Sequence, residues 1–308
     1  NELPADSEQY PPGVLGAELE MADFLIAAAP KPLLLLGEHY DYFDRRGHQE
    51  AFEEVQRFYR LLGAPEDRLG CFRGRNTHGY WPENQQAMVR FFAHHAGLEP
   101  PVDVEETEVL PDEALWATPQ GDAVAAGGRR EFTLIGERAK EVVARRQPLG
   151  AEALRARLAA LLHLPAIPER LFHRNLRPTT VEEITYARYA IETEGDVRAI
   201  LRKKLTEPDK AHTLDVEPTV RLYLPHLSAE EDLAADPLAR QLQEEGALYA
   251  LDVRGLGESA PDEEGGFWQP YGMDYMFHGY HLLLGESYLG RRVYDALCAL
   301  ALLRQERA

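Results

Sequence analysis

The sequence is poor in cysteine and in basic residues. Its two cysteines, Cys71 and Cys298, cannot form the disulfide framework of a small secreted protein. Cys71 lies in an apolar strand pattern and Cys298 in an apolar helix pattern, so we expect both to be buried thiols. The 33 basic residues are outnumbered by 52 acidic ones, and the formal net charge is −19. This charge argues against nucleic acid or an anionic membrane as a partner, because both attract basic surfaces.

The sequence also lacks a long apolar segment and a recognisable metal-binding motif. The apolar run at residues 296–303 is far shorter than the roughly 20 residues that a membrane-spanning helix needs. His278 and His281 are three residues apart, and His94 and His95 are adjacent. Neither pair is accompanied by a cysteine or a His-Glu-x-x-His pattern that would supply a third ligand. We therefore expect no metal and no cofactor.

The first hundred residues alternate short apolar strands with amphipathic helices. Residues 33–36 and 68–72 are predicted strands, and residues 13–29, 47–62 and 83–96 are predicted helices. From the first strand onward this is a βαβα order, which predicts a parallel sheet covered by helices.

A different pattern follows residue 98. Residues 99–115 are rich in proline and acidic residues and are predicted to form a linker. Beyond it, the turn Glu194-Gly195-Asp196 predicts an antiparallel hairpin, and Asp236 is the expected N-cap of a helix that starts at Pro237. The other predicted elements are a hairpin at 116–124, helices at 131–146, 151–162 and 237–245, strands at 184–192, 197–203, 220–224 and 247–253, and mostly helical structure after 271.

Two polar motifs follow the first two predicted strands. Asp41 lies in the sequence Gly-Glu-His-Tyr-Asp-Tyr-Phe-Asp after the first strand, and His78 lies in Asn-Thr-His-Gly-Tyr-Trp after the second. The carboxyl ends of adjacent parallel strands meet at one edge of a sheet. A general-base histidine needs a carboxylate to fix its tautomer. We interpret Asp41 and His78 as the acid and base of a catalytic triad, with Asp44 as a competitor for the acid role and two ordinary loop residues as the alternative.

The nucleophile of such a triad is missing from the sequence. A hydrolase nucleophile elbow has the pattern Gly-x-Ser-x-Gly. None of the four serines, Ser7, Ser228, Ser259 and Ser287, has glycine both two residues before and two residues after it. We therefore expect no acyl-enzyme to form on this chain.

Residues 1–98 resemble the carboxyl-terminal part of an acetyl xylan esterase-like α/β hydrolase, of the dienelactone hydrolase and prolyl oligopeptidase type. The segments that carry the resemblance are 8–13, 22–24, 36–47, 77–80 and 87–92. The resemblance implies that Asp41 takes the acid position and His78 the position of the catalytic base.

A later segment resembles the amino-terminal part of a second domain of the same type. Residues 251–259 resemble the strand and loop that precede the nucleophile elbow, although Gly255 and Gly257 also fit a plain tight turn. Residues 221–226 resemble the strand whose following loop supplies an oxyanion-hole N–H. The matching pieces occur in reverse order, which suggests a fragment across the junction of two tandem domains.

We therefore expect an α/β fold made of two partial α/β-hydrolase domains, at 1–98 and 116–308. The expected sheets are mostly parallel with helices on both faces, plus an antiparallel hairpin at the start of the second domain. The expected function is a serine-type carboxylic ester hydrolase without its nucleophile. Acetylated xylan as the substrate, and a secreted or periplasmic location, are implied by the resemblance alone. The alternatives are a non-catalytic composite module, or another serine hydrolase such as a peptidase or dienelactone hydrolase.

Overall fold

The structure, a computed structural model, describes residues 10–100, 109–207, 212–261 and 272–307. The chain divides into two compact units, the first made of residues 20–154 and the second of residues 10–19 with 155–307. The domain limits expected from the sequence remain a prediction, because part of the predicted linker lies outside the described residues. Within the described ranges, no helix is long and apolar enough to cross a membrane.

The first unit is built around two parallel strands. Its elements in the described ranges are α1 (Met21–Ile26), β1 (Leu33–Glu38), α2 (Arg45–Leu61), β2 (Leu69–Gly74), α3 (Pro82–Ala96), α4 (Asp112–Leu115) and α5 (Glu131–Ala144), and α6 (Ala151–Leu161) crosses the division between the units. The strand register runs from Leu33 opposite Leu69 to Glu38 opposite Gly74. The predicted parallel pair is confirmed, and each strand continues two residues further than predicted.

A small apolar cluster holds this unit together. Val55 and Tyr59 of α2 are buried, and their spacing of four residues places them on one face of the helix. They pack with Ala22 of α1 and with Leu33 and Leu69 at the start of the two strands. The cluster therefore aligns the amino-terminal ends of β1 and β2, which leaves their carboxyl ends to carry loops.

The second unit contains a five-stranded mixed sheet in the order β3-β4-β5-β7-β6. Its elements are β3 (His173–Val181), β4 (Ile184–Glu194), β5 (Val197–Lys204), β6 (Arg221–Tyr223), α7 (Ala229–Ala235), α8 (Pro237–Glu244), β7 (Leu248–Asp252), α9 (Gly272–Leu283) and α10 (Tyr288–Arg307). The pairs β3–β4, β4–β5 and β5–β7 are antiparallel, and β6–β7 is parallel.

The expectation of mostly parallel sheets is wrong for this second sheet. Short turns link β3 to β4 and β4 to β5, and such turns allow only antiparallel pairing, whereas parallel strands need a long crossover. The predicted hairpin at Glu194-Gly195-Asp196 is confirmed. So is the cap of α8, in which the Asp236 side chain accepts a hydrogen bond from Ala239 N.

The local structure differs from the sequence-based prediction at three other places. Residues 116–124 contain no strand, because the Asp122 carboxylate accepts from Val124 N and Ala125 N and closes a turn. Strand β3 was not anticipated: its sequence is polar and contains Pro178, which an edge strand tolerates. The helix expected at 13–29 is reduced to a short 3-10 turn and α1.

The two cysteines differ in burial. Cys298 of α10 is fully buried in the core of the second unit, as expected, among Leu201, Leu251 and Leu302. Cys71 of β2 is exposed, so its predicted burial is wrong. Within the described residues β2 pairs only with β1, which explains why it is not a fully enclosed strand.

Candidate functional site

The loops after β1 and β2 are joined at the same edge of the first unit. His39 N donates to Gly74 O at 3.0 Å, and Tyr40 N donates to Asn76 O at 3.1 Å. These bonds continue the parallel pairing beyond the two strands. The chain segments that lead to Asp41 and His78 are therefore held side by side.

Asp41 and His78 are in direct contact. His78 Nδ1 lies 3.0 Å from Asp41 Oδ1 and 3.2 Å from Oδ2. Oδ1 also accepts a hydrogen bond from Phe43 N at 3.0 Å, which fixes the carboxylate. A carboxylate can only accept, so the proton of the imidazole is on Nδ1 and Nε2 has the lone pair that a general base uses. The Asp41 side chain is 13% exposed and that of His78 is 50% exposed.

Two aromatic residues set the orientation of the His78 ring. The ring centroid of Tyr42 is 4.3 Å from that of His78, and the Phe43 centroid is 5.6 Å away. The Tyr42 hydroxyl also lies 3.2 Å from His78 Nε2 and donates to its lone pair. Nδ1 is thus held by a carboxylate and Nε2 by a phenol. The phenol occupies the position from which a serine hydroxyl would approach.

Asp44, the competing candidate for the acid, has a different role. It is the N-cap of α2, and its carboxylate accepts from Arg46 N at 2.8 Å and from the Arg46 side chain at 3.3 Å. The hydrogen bonds from the Arg46 side chain and backbone lower the pKa of Asp44. Asp44 is engaged in starting the helix, which leaves Asp41 as the partner of His78.

Sequence reasoning missed Glu38, a buried acid beneath the His78 loop. Its side chain is 4% exposed, and Oε2 accepts from Asn76 N at 2.9 Å. A Cβ atom on Gly74 would overlap the Glu38 carboxylate, so a larger residue there would force the carboxylate to shift. Asn84, also buried, donates to Gly37 O at 3.3 Å. A useful sequence signal was the Gly-Glu pair at the end of an apolar strand, because an acid there must find donors.

His48 lies behind the same strand ends. Arg73 Nη2 lies 3.1 Å from His48 Nδ1, and a guanidinium can only donate, so the His48 proton is on Nε2. Burial, and secondly the nearby Arg73 charge, lower the pKa of His48. A Cβ on Gly37 would lie 3.0 Å from the His48 ring. His48 is therefore a neutral packing residue in the folded protein.

The described serines are occupied by local structure. Ser228 caps α7 by accepting from Glu230 N at 3.2 Å, and Ser259 Oγ donates to Asp252 O at 2.9 Å. Ser287 Oγ accepts from Gly290 N at 3.0 Å. Ser7 lies outside the described residues.

The glycine-rich loop of the second unit is organised by a buried ion pair. Asp252 is fully buried at the end of β7, and Arg202 is 2% exposed. The distance from Arg202 Nη1 to Asp252 Oδ2 is 2.5 Å. Asp252 also accepts from Ala229 N at 2.7 Å and from Glu258 N at 3.1 Å. A Cβ on Gly257, which has a φ of +49°, would overlap the Asp252 carboxylate. The glycine-rich segment 251–259 therefore has a clear structural role, because it surrounds the buried Asp252 carboxylate.

Comparison with known proteins adds a weak likeness to a solved structure. No family model and no curated protein matches the chain. Among solved structures, the chain is similar to a Bacteroides fragilis protein named a "putative acetyl xylan esterase", with 16% sequence identity and a TM-score of 0.36. The likeness covers 49% of this chain and 42% of that one, so the chain spans less than half of that protein's length. At this identity and TM-score, the likeness establishes neither the fold nor the activity.

Proposed function

We propose that this chain carries the acid–base pair of a serine-type carboxylic ester hydrolase, with His78 as the general base and Asp41 as the residue that orients it. The observation that carries the proposal is the 3.0 Å contact between Asp41 Oδ1 and His78 Nδ1. It fixes the tautomer in which Nε2 can take a proton, as the Ser-His-Asp mechanism requires. The polar loops at the ends of two parallel strands are also the usual location of such a pair.

In the proposed reaction, a serine hydroxyl attacks the ester carbonyl while His78 Nε2 takes the hydroxyl proton. Asp41 stabilises the imidazolium that forms, and backbone N–H groups stabilise the negative charge on the carbonyl oxygen. The imidazolium then gives its proton to the departing alcohol, leaving an acyl-serine. Water, deprotonated by the same Nε2, hydrolyses that ester and releases the acid.

The serine in this proposal comes from polypeptide outside the 308 residues. The sequence has no Gly-x-Ser-x-Gly pattern, and Ser228, Ser259 and Ser287 are engaged in local hydrogen bonds. The sequence resemblance of residues 1–98 extends the proposal to an acetyl ester of xylan as the substrate.

The proposal is tested by comparing this chain with a longer protein from the same gene. Both are treated with a fluorophosphonate probe, which labels activated serines, and assayed with an aryl acetate. We expect labelling and turnover only for the longer protein. There His78→Ala should lower kcat by a factor on the order of 10⁶, the size of the loss when the histidine of a Ser-His-Asp triad is removed.

Two control variants make the comparison specific. Asp41→Asn should lower kcat by a factor on the order of 10⁴, because the tautomer of His78 is then no longer fixed. His278→Ala, which alters an exposed histidine of α9, should leave turnover unchanged. A serine-dependent activity of the 308-residue chain, or a longer protein whose activity is insensitive to His78→Ala, would contradict the proposal.

A second candidate function is a non-catalytic module in which the pair is only structural. The observation in its favour is the Tyr42 hydroxyl at His78 Nε2, which gives both ring nitrogens a partner within the chain. The variant Tyr42→Phe separates the two proposals. If His78 is a base, the longer protein retains its activity in this variant. If the pair is structural, no serine is labelled in any version and both Tyr42→Phe and His78→Ala lower the stability of the first unit.

A further inference from the structure

A second cluster of polar groups lies in the first unit. Asp67 belongs to a 3-10 turn that leads into β2, and His94 and His95 form part of the last turn of α3. His94 Nε2 lies 2.9 Å from Asp67 Oδ2, and His95 Nε2 lies 3.0 Å from the backbone oxygen of Asp67. One potential ligand atom from each of the three side chains lies within 4.8 Å of the others.

The orientation of both imidazoles is set by their surroundings. The carboxylate oxygen Oδ2 and the backbone oxygen of Asp67 each accept a hydrogen bond, so the two Nε2 atoms point at the same residue. The His95 ring is also held by Phe91, with ring centroids 4.5 Å apart, and it meets His94 at 4.8 Å. The side chains of His94 and Asp67 are 62% and 50% exposed, so solvent can reach the cluster.

We propose that a divalent metal ion binds to Asp67, His94 and His95. Zn²⁺ is the ion that two imidazoles and one carboxylate suit best. With bonds of roughly 2.0–2.1 Å, ligand atoms around a tetrahedral Zn²⁺ lie about 3.3 Å apart. The contact of 2.9 Å between His94 Nε2 and Asp67 Oδ2 is already near this spacing, and the wider separations in the cluster, within 4.8 Å, close by side-chain rotation. The metal replaces the protons that the two Nε2 atoms now direct at Asp67. Each neutral ring keeps its one proton, which moves from Nε2 to Nδ1 by exchange with solvent. The fourth position is left to water.

One further feature favours a cation here, and a second histidine pair provides a contrast. The cluster lies at the carboxyl-terminal end of α3, where the helix dipole is negative. The pair His278 and His281 offers a contrast, because His281 Nδ1 is turned back to Phe277 O, 2.7 Å away.

The experiment uses the full chain after treatment with a chelator and dialysis. Titration with ZnCl₂ by calorimetry should show one bound ion per chain. The variants His94→Gln and His95→Gln keep an N–H donor for Asp67 but lose the imidazole ligand. Each should weaken binding by at least about tenfold, since losing even an outer-shell partner of a metal costs 10- to 100-fold. The control His278→Ala should bind Zn²⁺ as the wild type does.

Co²⁺ provides a second measurement. Its visible absorption should show the strong bands of a tetrahedral site in the wild type and lose them in both glutamine variants. Circular dichroism establishes that the variants are folded, which the exposure of His94 and the partial exposure of His95 favour. No Zn²⁺ binding by the wild type, equal affinity in His94→Gln and His95→Gln, or loss of binding in His278→Ala would each overturn the proposal.

Discussion

The buried pair of Arg202 and Asp252 provides a quantitative test of how the glycine-rich loop of the second unit is held. Asp252 is fully buried and accepts hydrogen bonds from Arg202, from Ala229 N and from Glu258 N. Arg202→Met leaves the carboxylate buried without its guanidinium. Asp252→Asn removes the charge but retains an oxygen that can accept from Ala229 N.

The expected size of each effect follows from burial. Exposed ion pairs contribute about 0–1 kcal/mol to the free energy of unfolding. Breaking a buried pair costs about 3–5 kcal/mol, because the remaining charge is buried without a partner. At 2% and 0% exposure, Arg202 and Asp252 belong to the second class. We expect Arg202→Met to cost about 3–5 kcal/mol. Asp252→Asn should cost less, because Arg202 Nη2 still contacts Glu258 at 2.8 Å.

The double variant measures the interaction itself. With Arg202→Met and Asp252→Asn together, neither charge is left alone in the core. The combined loss should therefore fall short of the sum of the single losses by about 1–3 kcal/mol, as is usual for residues in contact. Hydrogen exchange of peptides from β7, measured by mass spectrometry, reports the stability of this unit separately. Additive losses, or an Arg202→Met loss below about 1 kcal/mol, would refute the reasoning.

The other predictions concern the first unit. Glu38→Ala should lower its free energy of unfolding by about 1.5–3 kcal/mol, because Asn76 N loses a charged acceptor, while Glu38→Gln, which keeps an oxygen, should cost less. Amide exchange at Asn76 checks this, and equal effects of the two variants would contradict it. The lowered pKa of His48 means that the unfolded chain binds a proton more readily than the folded one. Stability should therefore fall as the pH drops below 6.5, the ordinary value for histidine, and this loss should be absent in His48→Gln. Urea denaturation across this pH range measures it, and a pH-independent wild type would show the assignment to be wrong.

Much of the local structure was readable from the sequence. The amphipathic period of α2, the apolar strands β1 and β2, and the cap of α8 by Asp236 depend on residues close in the chain, and all three are present. The hairpin of β4 and β5 was readable for the same reason, since its turn residues specify it. Errors arose where context decides: the polar edge strand β3 is stabilised by its neighbour β4.

The candidate site also has one part that the sequence predicts and one part that depends on tertiary structure. Asp41 and His78 were identified from the sequence because each follows an apolar strand, and parallel strands bring their carboxyl ends together whatever else the fold contains. The position of the proton on His78 Nδ1 and the contact of Tyr42 with Nε2 follow only from the tertiary structure.

Other groupings were decided only by the tertiary structure. Glu38 meets Asn76 across 38 positions of the chain, and Asp67 meets His94 across 27. No spacing rule links such residues, because their distance is set by how β1, β2 and α3 pack. The sequence by itself determined the periodic elements and the pair of loops that carries Asp41 and His78. Tertiary packing alone determined which buried acid supports the His78 loop and which histidines converge on Asp67.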